Sequence, residues 1–348
     1  MTKTHKIEIV NGVESLFEIN KFLNDLIRYM DLDIKWKLIN FKQLELKKCY
    51  IRGVLRESHL MGVLHEYLIS DLCKNNTFNK YNFFTKPYPM IHLPGDKSES
   101  TNYLHYDQED DVETYTCWLP ITKNDYEEIS IFIYENPLVN FFAKIISKIK
   151  FFKIISNQLK SKFGYYYLWS GKRLHKGNLN TSNQLSCAIQ MKISLKELSK
   201  EVSKKNPLKN NSFIFKNKIV SEKSYKENFY NLSTVINDLD AIKNNEFNDL
   251  VFLISKIKSL IFFNFTENNQ EISFAISIFS QRIRPQYKND RIVLFNCFCY
   301  DIASVLLGGS NTVSLFRIKN DIKFFYNSFY KEIELKNIND IEKLLFNK

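Results

Sequence analysis

A change in sequence texture at residue 83 constrains the fold more than any other feature of the chain. From Phe83 to Leu195 the sequence consists of short segments rich in Tyr, Ile, Phe, Thr and Trp, separated by prolines and glycines such as Pro94 and Gly95. Residues of the first kind favour strands, and Pro and Gly mark turns. This region is therefore predicted to be built of strands, apart from an amphipathic helical run near residues 137 to 160.

Helical periodicity dominates on both sides of this region, where apolar residues recur at steps of three and four. The predicted helical stretches are Val13–Met30, Ser58–Leu72, Tyr225–Phe263, Glu271–Val305 and Asp321–Phe346. A polar, lysine-rich stretch with Pro207 separates the last three from the strands. We therefore predict a β domain with covering N-terminal helices over residues 1–200, a linker over 201–218 and a mostly helical region over 219–348. Residues 308–311 are read as a turn rather than a phosphate cradle.

Charge and cysteine content narrow the possible partners and location. The formal net charge is +11, but the lysines are scattered along the chain and arginine is scarce, so no nucleic-acid partner is expected. The six cysteines form no C-x-x-C pair, which is typical of reduced thiols in a cytoplasm. Cys297 and Cys299 are read as buried small hydrophobes, with a metal pair as the alternative. The oligomeric state stays open.

The hydrophobic segments do not predict a membrane span. The N-terminus lacks an apolar core of signal-peptide length, and no window approaches about 18 uninterrupted apolar residues, so we expect a soluble cytoplasmic protein. The one hydrophobic stretch that could suggest a membrane segment, Asn136–Ile155, carries four lysines and reads as an amphipathic helix. Core or lid packing and contact with a membrane surface are both compatible with it.

Three residues form a candidate metal site. His105 and Asp107 stand two apart, so in a strand both side chains point to one face, and His175 follows some 70 residues later. Two imidazoles and one carboxylate on a single cation leave three coordination positions open. That arrangement suits ferrous iron, which must take a chelating co-substrate and dioxygen together, whereas zinc uses fewer open positions.

Several segments around these residues resemble one known family in an unbroken order. The matching segments are Lys86–Asp96, Leu104–Asp107, Tyr115–Thr122, Gly164–Gly171 and His175 followed by Asn180-Thr181. They resemble the phytanoyl-CoA dioxygenase-like oxygenases, in particular the branch of antibiotic and surface-carbohydrate gene clusters of the streptomycin-pathway type. The resemblance implies an α+β chain with a double-stranded β-helix (jelly-roll, cupin-like) core, and Fe(II) and 2-oxoglutarate as cofactors held by His105, Asp107 and His175.

One position departs from the family pattern. Ser186 stands where the family carries the arginine that forks onto the distal carboxylate of 2-oxoglutarate. Lys192 matches a later basic position, but six residues along a strand is roughly 20 Å, too far to replace that arginine directly. Arg173, two residues before His175, is the better substitute, and Arg52 or Arg56 are further possibilities. The candidate co-substrate-binding residues are Tyr103, Thr116, Arg173 and Ser186.

The other conspicuous side chains have structural explanations. Trp118 and Trp169 are expected to fill the core rather than form a substrate platform, since large aromatic rings fill barrel interiors. His59, His65 and His92 are expected to be structural, because their spacing matches no common metal motif.

The resemblance implies a function as well as a fold. It implies hydroxylation of a small carbohydrate or nucleotide-sugar substrate, coupled to conversion of 2-oxoglutarate into succinate, and the positive charge suits an anionic sugar. One alternative is a catalytically inactive jelly-roll binding module that has lost its 2-oxoglutarate anchor. Another is a lysine-rich surface that binds nucleic acid or an anionic membrane.

Overall fold

The computed structural model describes most of the helices and strands of the chain. The described residues are 3–6, 12–32, 36–74, 78–79, 82–94, 107, 114–122, 130–134, 157–160, 162–177, 180, 185–195, 221–243, 249–265, 269–308, 312–327, 330 and 338–346. The chain divides into two units, residues 1–24 with 58–217 and residues 25–57 with 218–348. We call these unit 1 and unit 2.

Unit 1 combines helices with two antiparallel sheets. Its helices are α1 (Gly12–Tyr29), which continues past the unit boundary, and α3 (His59–Lys74). Its strands are β1 (Lys3–Lys6), β2 (Phe83–Phe84), β3 (Tyr88–His92), β4 (Thr114–Pro120), β5 (Ser130–Tyr134), β6 (Asn157–Lys160), β7 (Tyr165–Ser170), β8 (Leu174–Lys176) and β9 (Ser186–Ser194). The chain is thus a mixture of helices and antiparallel sheet, as predicted.

The larger sheet has the strand order β1-β7-β4-β9-β2, with β3 also pairing with β9, and the smaller has the order β6-β5-β8. Every pairing is antiparallel. Strand β6 corrects one prediction, because residues 157–160 belong to a strand and not to the end of a helix. The rest of the predicted helical run, 137–156, and the predicted linker, 201–218, lie outside the described residues.

Strand β9 shows how the larger sheet separates its two faces. Side chains alternate along a strand, and Cys187, Ile189, Met191 and Ile193 on one face of β9 are all almost completely buried. The other face carries the even-numbered positions, including Ala188, which packs in a core cluster with Met90, Trp118, Tyr167 and Trp169. Both tryptophans are therefore core residues, and this second face also carries the candidate site.

Unit 2 is helical in the part of the chain that the structure describes. Its helices are α2 (Phe41–Glu57), α4 (Glu222–Ala241), α5 (Leu250–Asn264), α6 (Gln270–Ile283), α7 (Arg291–Gly308), α8 (Thr312–Phe325) and α9 (Ile338–Phe346). Polar caps begin four of them, since Ser221, Asp249, Asn269 and Asp290 each accept a hydrogen bond from a first-turn amide.

The observed units differ from the predicted domain bounds at α2, because residues 25–57 group with unit 2 and not with the strands.

Helix α7 is the one described helix whose length and composition would suffice to cross a membrane. It is 72% buried inside the protein, as a core helix would be.

All six cysteines are free thiols. Cys297 and Cys299 lie within α7 and are completely buried. Burial raises the pKa of the Cys297 thiol to about 12 and raises that of Cys299 further. Both therefore remain protonated at neutral pH and behave as small hydrophobes, whereas a metal would need the thiolate.

Helices α2 and α6 approach closely at Gly53, and this predicts a strong effect of a single methyl group. A Cβ at residue 53 would lie 2.2 Å from the backbone oxygen of Glu271, which cannot rotate away. Alanine normally favours a helix over glycine by about 1 kcal/mol, but here the helices must separate, at a cost of about 1–3 kcal/mol. We expect Gly53→Ala to lower the free energy of unfolding in urea, whereas Ser255→Ala, on the exposed side of α5, should leave it nearly unchanged. A stabilised Gly53→Ala protein would contradict the close approach.

A buried ion network links helices α7 and α8 with the residue that follows α6. Arg317 donates to both carboxylate oxygens of Asp301, at 2.6 and 3.0 Å, and Arg284 donates to Asp301 at 2.8 Å. Arg284 also pairs with Asp321. Burial raises the pKa of Asp321 to about 6 despite its ion pair with Arg284. The side chain of Asp301 is completely buried, so its charge depends on these two guanidinium groups.

Candidate functional site

The backbone around Asp107 ties this residue to the ends of two neighbouring strands. Its amide donates to the carbonyl oxygen of Gly171, just after β7, at 3.1 Å, and the Gly171 amide donates to Thr114 at the start of β4 at 2.7 Å. His175 lies in β8, paired with Ile133 of β5. Asp107, which precedes β4 in the chain, and His175, in the smaller sheet, thus lie next to each other.

The imidazole of His175 faces the carboxylate of Asp107. Nε2 of His175 lies 3.3 Å from Oδ2 of Asp107, and the two side chains are 4% and 7% exposed. Nδ1 of the same ring lies 2.9 Å from the carbonyl oxygen of Arg173. A carbonyl can only accept, so Nδ1 carries a hydrogen. Two states of the ring are compatible with this contact. If the ring is charged, Nε2 carries a hydrogen and donates to the carboxylate; if it is neutral, Nε2 has a lone pair, and a cation must lie between it and the oxygen.

Two further polar groups contact the same carboxylate. The Thr116 hydroxyl donates to Asp107 Oδ2 at 2.5 Å, and the Lys192 ammonium forms an ion pair with Oδ1. Lys192 also donates to the Thr116 hydroxyl at 3.0 Å. Thr116 and Lys192 are directly opposite each other in the pairing of β4 with β9, so the sheet register fixes their proximity.

These contacts determine the charge of Asp107. Burial by itself would raise the pKa of the carboxyl group, but the charges of His175 and Lys192, with hydrogen bonds from Lys192 and Thr116, hold the pKa below its ordinary value of 3.8. Asp107 is therefore an anion at neutral pH. A carboxyl group with a lowered folded pKa stabilises the fold above its unfolded pKa, and this contribution is lost as the pH falls through the folded value.

Trp169 forms one side of the site. It lies opposite Thr116 in the pairing of β4 with β7, and its ring centroid is 5.4 Å from that of His175 in an edge-to-face arrangement. The side chain is 1% exposed. Among the described residues its indole N–H has no hydrogen-bond acceptor. A buried donor of this kind can bind an acceptor supplied by a ligand.

The structure brings together three of the residues that the sequence singled out, Asp107, His175 and Thr116. His105 and Tyr103 lie outside the described residues. Arg173 holds His175 through its backbone carbonyl, and its side chain is half-buried.

Ser186 lies elsewhere, and this corrects its assignment to the site. It begins β9 opposite His92, six residues before Lys192. At about 3.3 Å per residue this separates it by roughly 20 Å from the end of β9 that faces Asp107. The reason is strand direction, because β9 runs away from Ser186 towards the site.

Lys192 is the site residue that sequence reasoning set aside. Its separation from Ser186 was predicted correctly, and its ammonium pairs with Asp107, so distance from Ser186 does not keep Lys192 away from this carboxylate. One signal could have identified it. In an alternating strand, Lys192 shares a face with the buried Ala188 and the partly buried Gln190, and a lysine beside a core position is stabilised by a carboxylate partner.

The remaining candidates from the sequence have other surroundings. His65 is buried, and burial lowers its pKa to about 4, so it is neutral at physiological pH. His92 is buried, and its carbonyl oxygen accepts a hydrogen bond from Asn180 at 3.0 Å. Arg52 and Arg56 belong to unit 2, where Arg56 lies 4.1 Å above the ring of Phe274.

The donor set suits a divalent metal such as iron(II). A metal-binding histidine commonly donates its second ring N–H to a backbone carbonyl, which fixes the tautomer and aims the other nitrogen at the metal. His175 has this arrangement, with a carboxylate oxygen beside the aimed nitrogen. Within the described ranges no group of three or more His, Cys, Asp or Glu side chains could hold a metal, so a third protein ligand would have to come from elsewhere, as His105 would.

No protein-family profile and no curated protein sequence matches the chain. Among solved structures, EvdO2 from Micromonospora carbonacea var. aurantiaca aligns at 10% identity and a TM-score of 0.29, over 42% of this chain and 64% of EvdO2. EvdO2 complexed with 2-oxoglutarate aligns at 10% and 0.26, over 39% of this chain and 67% of that chain. SnoK, the non-heme alpha ketoglutarate dependent carbocyclase from nogalamycin biosynthesis, aligns at 10% and 0.25, over 38% of this chain and 54% of SnoK.

The chain spans less than two thirds of the length of EvdO2, in the structure without 2-oxoglutarate, and of SnoK. The fold and the site by themselves define a chain of mixed helix and antiparallel sheet with a buried carboxylate–imidazole pair at one end of the larger sheet.

Proposed function

We propose that the chain is an Fe(II)/2-oxoglutarate-dependent oxygenase of the phytanoyl-CoA dioxygenase-like type, with His105, Asp107 and His175 as the metal ligands. One observation carries the proposal. Nε2 of His175 faces Asp107 Oδ2 at 3.3 Å while Nδ1 is committed to a backbone carbonyl. That geometry places a ring nitrogen, which carries a lone pair when the imidazole is neutral, and a carboxylate oxygen on the same side, as a shared cation requires.

The strand order supports a double-stranded β-helix as the scaffold. A jelly roll packs two antiparallel sheets of four strands face to face. The order β3-β9-β4-β7 supplies four strands of the larger sheet, and β8-β5-β6 supplies three of the smaller. A fourth strand next to β8 would complete the second sheet. Asp107 lies at a bend whose amide donates to Gly171, and its carboxylate faces His175 of β8.

The proposed reaction converts a substrate C–H bond, dioxygen and 2-oxoglutarate into C–OH, succinate and CO2. Iron(II) supplies the chemistry of dioxygen activation when it is bound. The chain's own residues position the metal ligands and shield the site. The carbonyl of Arg173 fixes the tautomer of His175, and the buried ring of Trp169 keeps water away from one side.

For the substrate we propose a small carbohydrate or nucleotide-sugar, as in the branch that the sequence resembles. The net charge of +11 favours an anionic ligand. A cytoplasmic location belongs to the same proposal. The alternative of an inactive binding module has one observation in its favour, because the Lys192 ammonium already neutralises Asp107.

Anaerobic addition of Fe(II) and 2-oxoglutarate tests the proposal. We expect a weak visible charge-transfer band from the chelated co-substrate, and succinate on admission of air. His175→Ala should remove the band, since the loss of a ligand weakens metal binding by more than the 10–100-fold that is typical of outer-shell changes. His59→Ala, which removes an exposed histidine of α3, should retain it. Iron binding without succinate would favour the inactive module, and no iron binding by the wild-type protein would overturn the metal site.

A further inference from the structure

A row of three side chains crosses the site face of the larger sheet. Lys192 of β9 lies opposite Thr116 of β4, and Thr116 lies opposite Trp169 of β7. We propose that Lys192, assisted by the Thr116 hydroxyl, binds the distal carboxylate of 2-oxoglutarate and replaces the arginine that is missing at Ser186. This inference rests on the proposed function and identifies the group that holds its co-substrate.

Metal binding would change the charge balance at Asp107. The Lys192 ammonium now pairs with Oδ1 of a carboxylate that also faces His175. A divalent metal bound between Asp107 and His175 would repel a second cation on the same carboxylate. The lysine side chain is 31% exposed and has a flexible four-carbon stem, so its ammonium can move a few Å and take another anion.

Lys192 and Thr116 lie close enough to Asp107 to reach the distal carboxylate of the co-substrate. An oxo acid that chelates a metal at Asp107 and His175 extends its distal carboxylate only two methylene groups beyond the chelating end. Lys192 and Thr116 already contact Asp107, whereas Ser186 is roughly 20 Å away along β9. Thr116 can donate to a carboxylate oxygen while it accepts from Lys192, as it does now with Asp107. Hydrogen bonds from an ammonium group to a carboxylate are stronger than those between neutral groups.

The buried indole of Trp169 stands at the end of the row, opposite Thr116, and can supply a further hydrogen-bond donor. Its N–H has no acceptor in the described part of the chain, and a carboxylate bound beside Thr116 would provide one. The same ring lies against His175, so binding of metal and co-substrate should change its fluorescence. That change gives a readout that does not depend on turnover.

The test compares two oxo acids on the Mn(II)-loaded, oxygen-free protein. 2-Oxoglutarate and 2-oxobutanoate share the chelating end, but only the first has a distal carboxylate. We expect the wild-type protein to bind 2-oxoglutarate at least about tenfold more tightly, as one charge-assisted contact allows. Lys192→Met should bring the two affinities within about threefold, Lys192→Arg should restore the preference, and Lys172→Met, an exposed lysine nearby, should keep it. Tryptophan fluorescence and calorimetry measure each affinity.

The outcomes separate this inference from the proposed function. Mn(II) binding, followed by its electron paramagnetic resonance signal, reports the metal site alone, and failure of the wild-type protein to bind Mn(II) overturns both proposals. If Mn(II) binds and Lys192→Met keeps the preference for 2-oxoglutarate, only the role of Lys192 is overturned. Loss of the preference in Arg173→Met with retention in Lys192→Met would assign the carboxylate to Arg173 instead.

Discussion

Asp107→Asn is expected to reduce succinate formation by roughly a thousandfold, because the loss of a charged metal ligand removes several kcal/mol of stabilisation. The amide keeps the shape of the carboxylate but not its charge, while the Lys192 ammonium remains beside it. A neutral ligand next to a cation binds a second, divalent cation poorly. Metal titration and coupled succinate measurement on the purified variant would report both effects.

The control for this variant is Glu66→Gln, which removes one negative charge by the same chemical change on the exposed side of α3. It should bind metal and form succinate as the wild-type protein does. If Asp107→Asn binds metal with unchanged affinity, Asp107 is only the ion-pair partner of Lys192, and the metal site must be sought elsewhere. If both variants lose activity equally, the effect comes from net charge and not from the site.

The elements of the fold could be predicted because their patterns are local. Val13–Met30 was predicted as a helix and Gly12–Tyr29 is one, since apolar residues at three- and four-residue steps must share a face. Residues 157–160 were missed because the apolar run before them has helical spacing, whereas the pairing of β6 with β5 decides their conformation. Tertiary pairing of this kind leaves no local signal in so short a segment. The same holds for β1, whose four residues gain their strand conformation by pairing with β7.

The site was only partly accessible to sequence reasoning. Asp107 and His175 could be identified because their residue types and order are unusual in a chain with six histidines. Lys192 could not be placed, because its role depends on the register of β9 against β4, which sets Lys192 opposite Thr116. A shift of one residue in that register would turn the lysine to the opposite face. Residue identity thus suggested the chemistry, and strand pairing determined which basic group reaches it.

Asp301→Asn is expected to lower the free energy of unfolding of unit 2 by about 3–5 kcal/mol, the usual cost of breaking a buried ion pair from one side. Asp301 is completely buried and accepts hydrogen bonds from both Arg317 and Arg284. The amide would present an N–H to one guanidinium group and leave positive charge uncompensated in the helical core. Urea unfolding followed by circular dichroism would measure the loss.

An exposed ion pair in the same unit gives the contrast. Glu222 and Lys226 pair at 2.7 Å on α4 with about half of each side chain in solvent, so Glu222→Gln should leave the free energy of unfolding nearly unchanged. Arg317→Met tests whether Asp301 acts through its partners. If it does, the double variant Asp301→Asn/Arg317→Met should lose less stability than the two single variants combined, because the second change removes a charge that the first left unpaired. Additive losses, or a loss below about 1 kcal/mol for Asp301→Asn, would show that the network is incidental to the packing of α7 and α8.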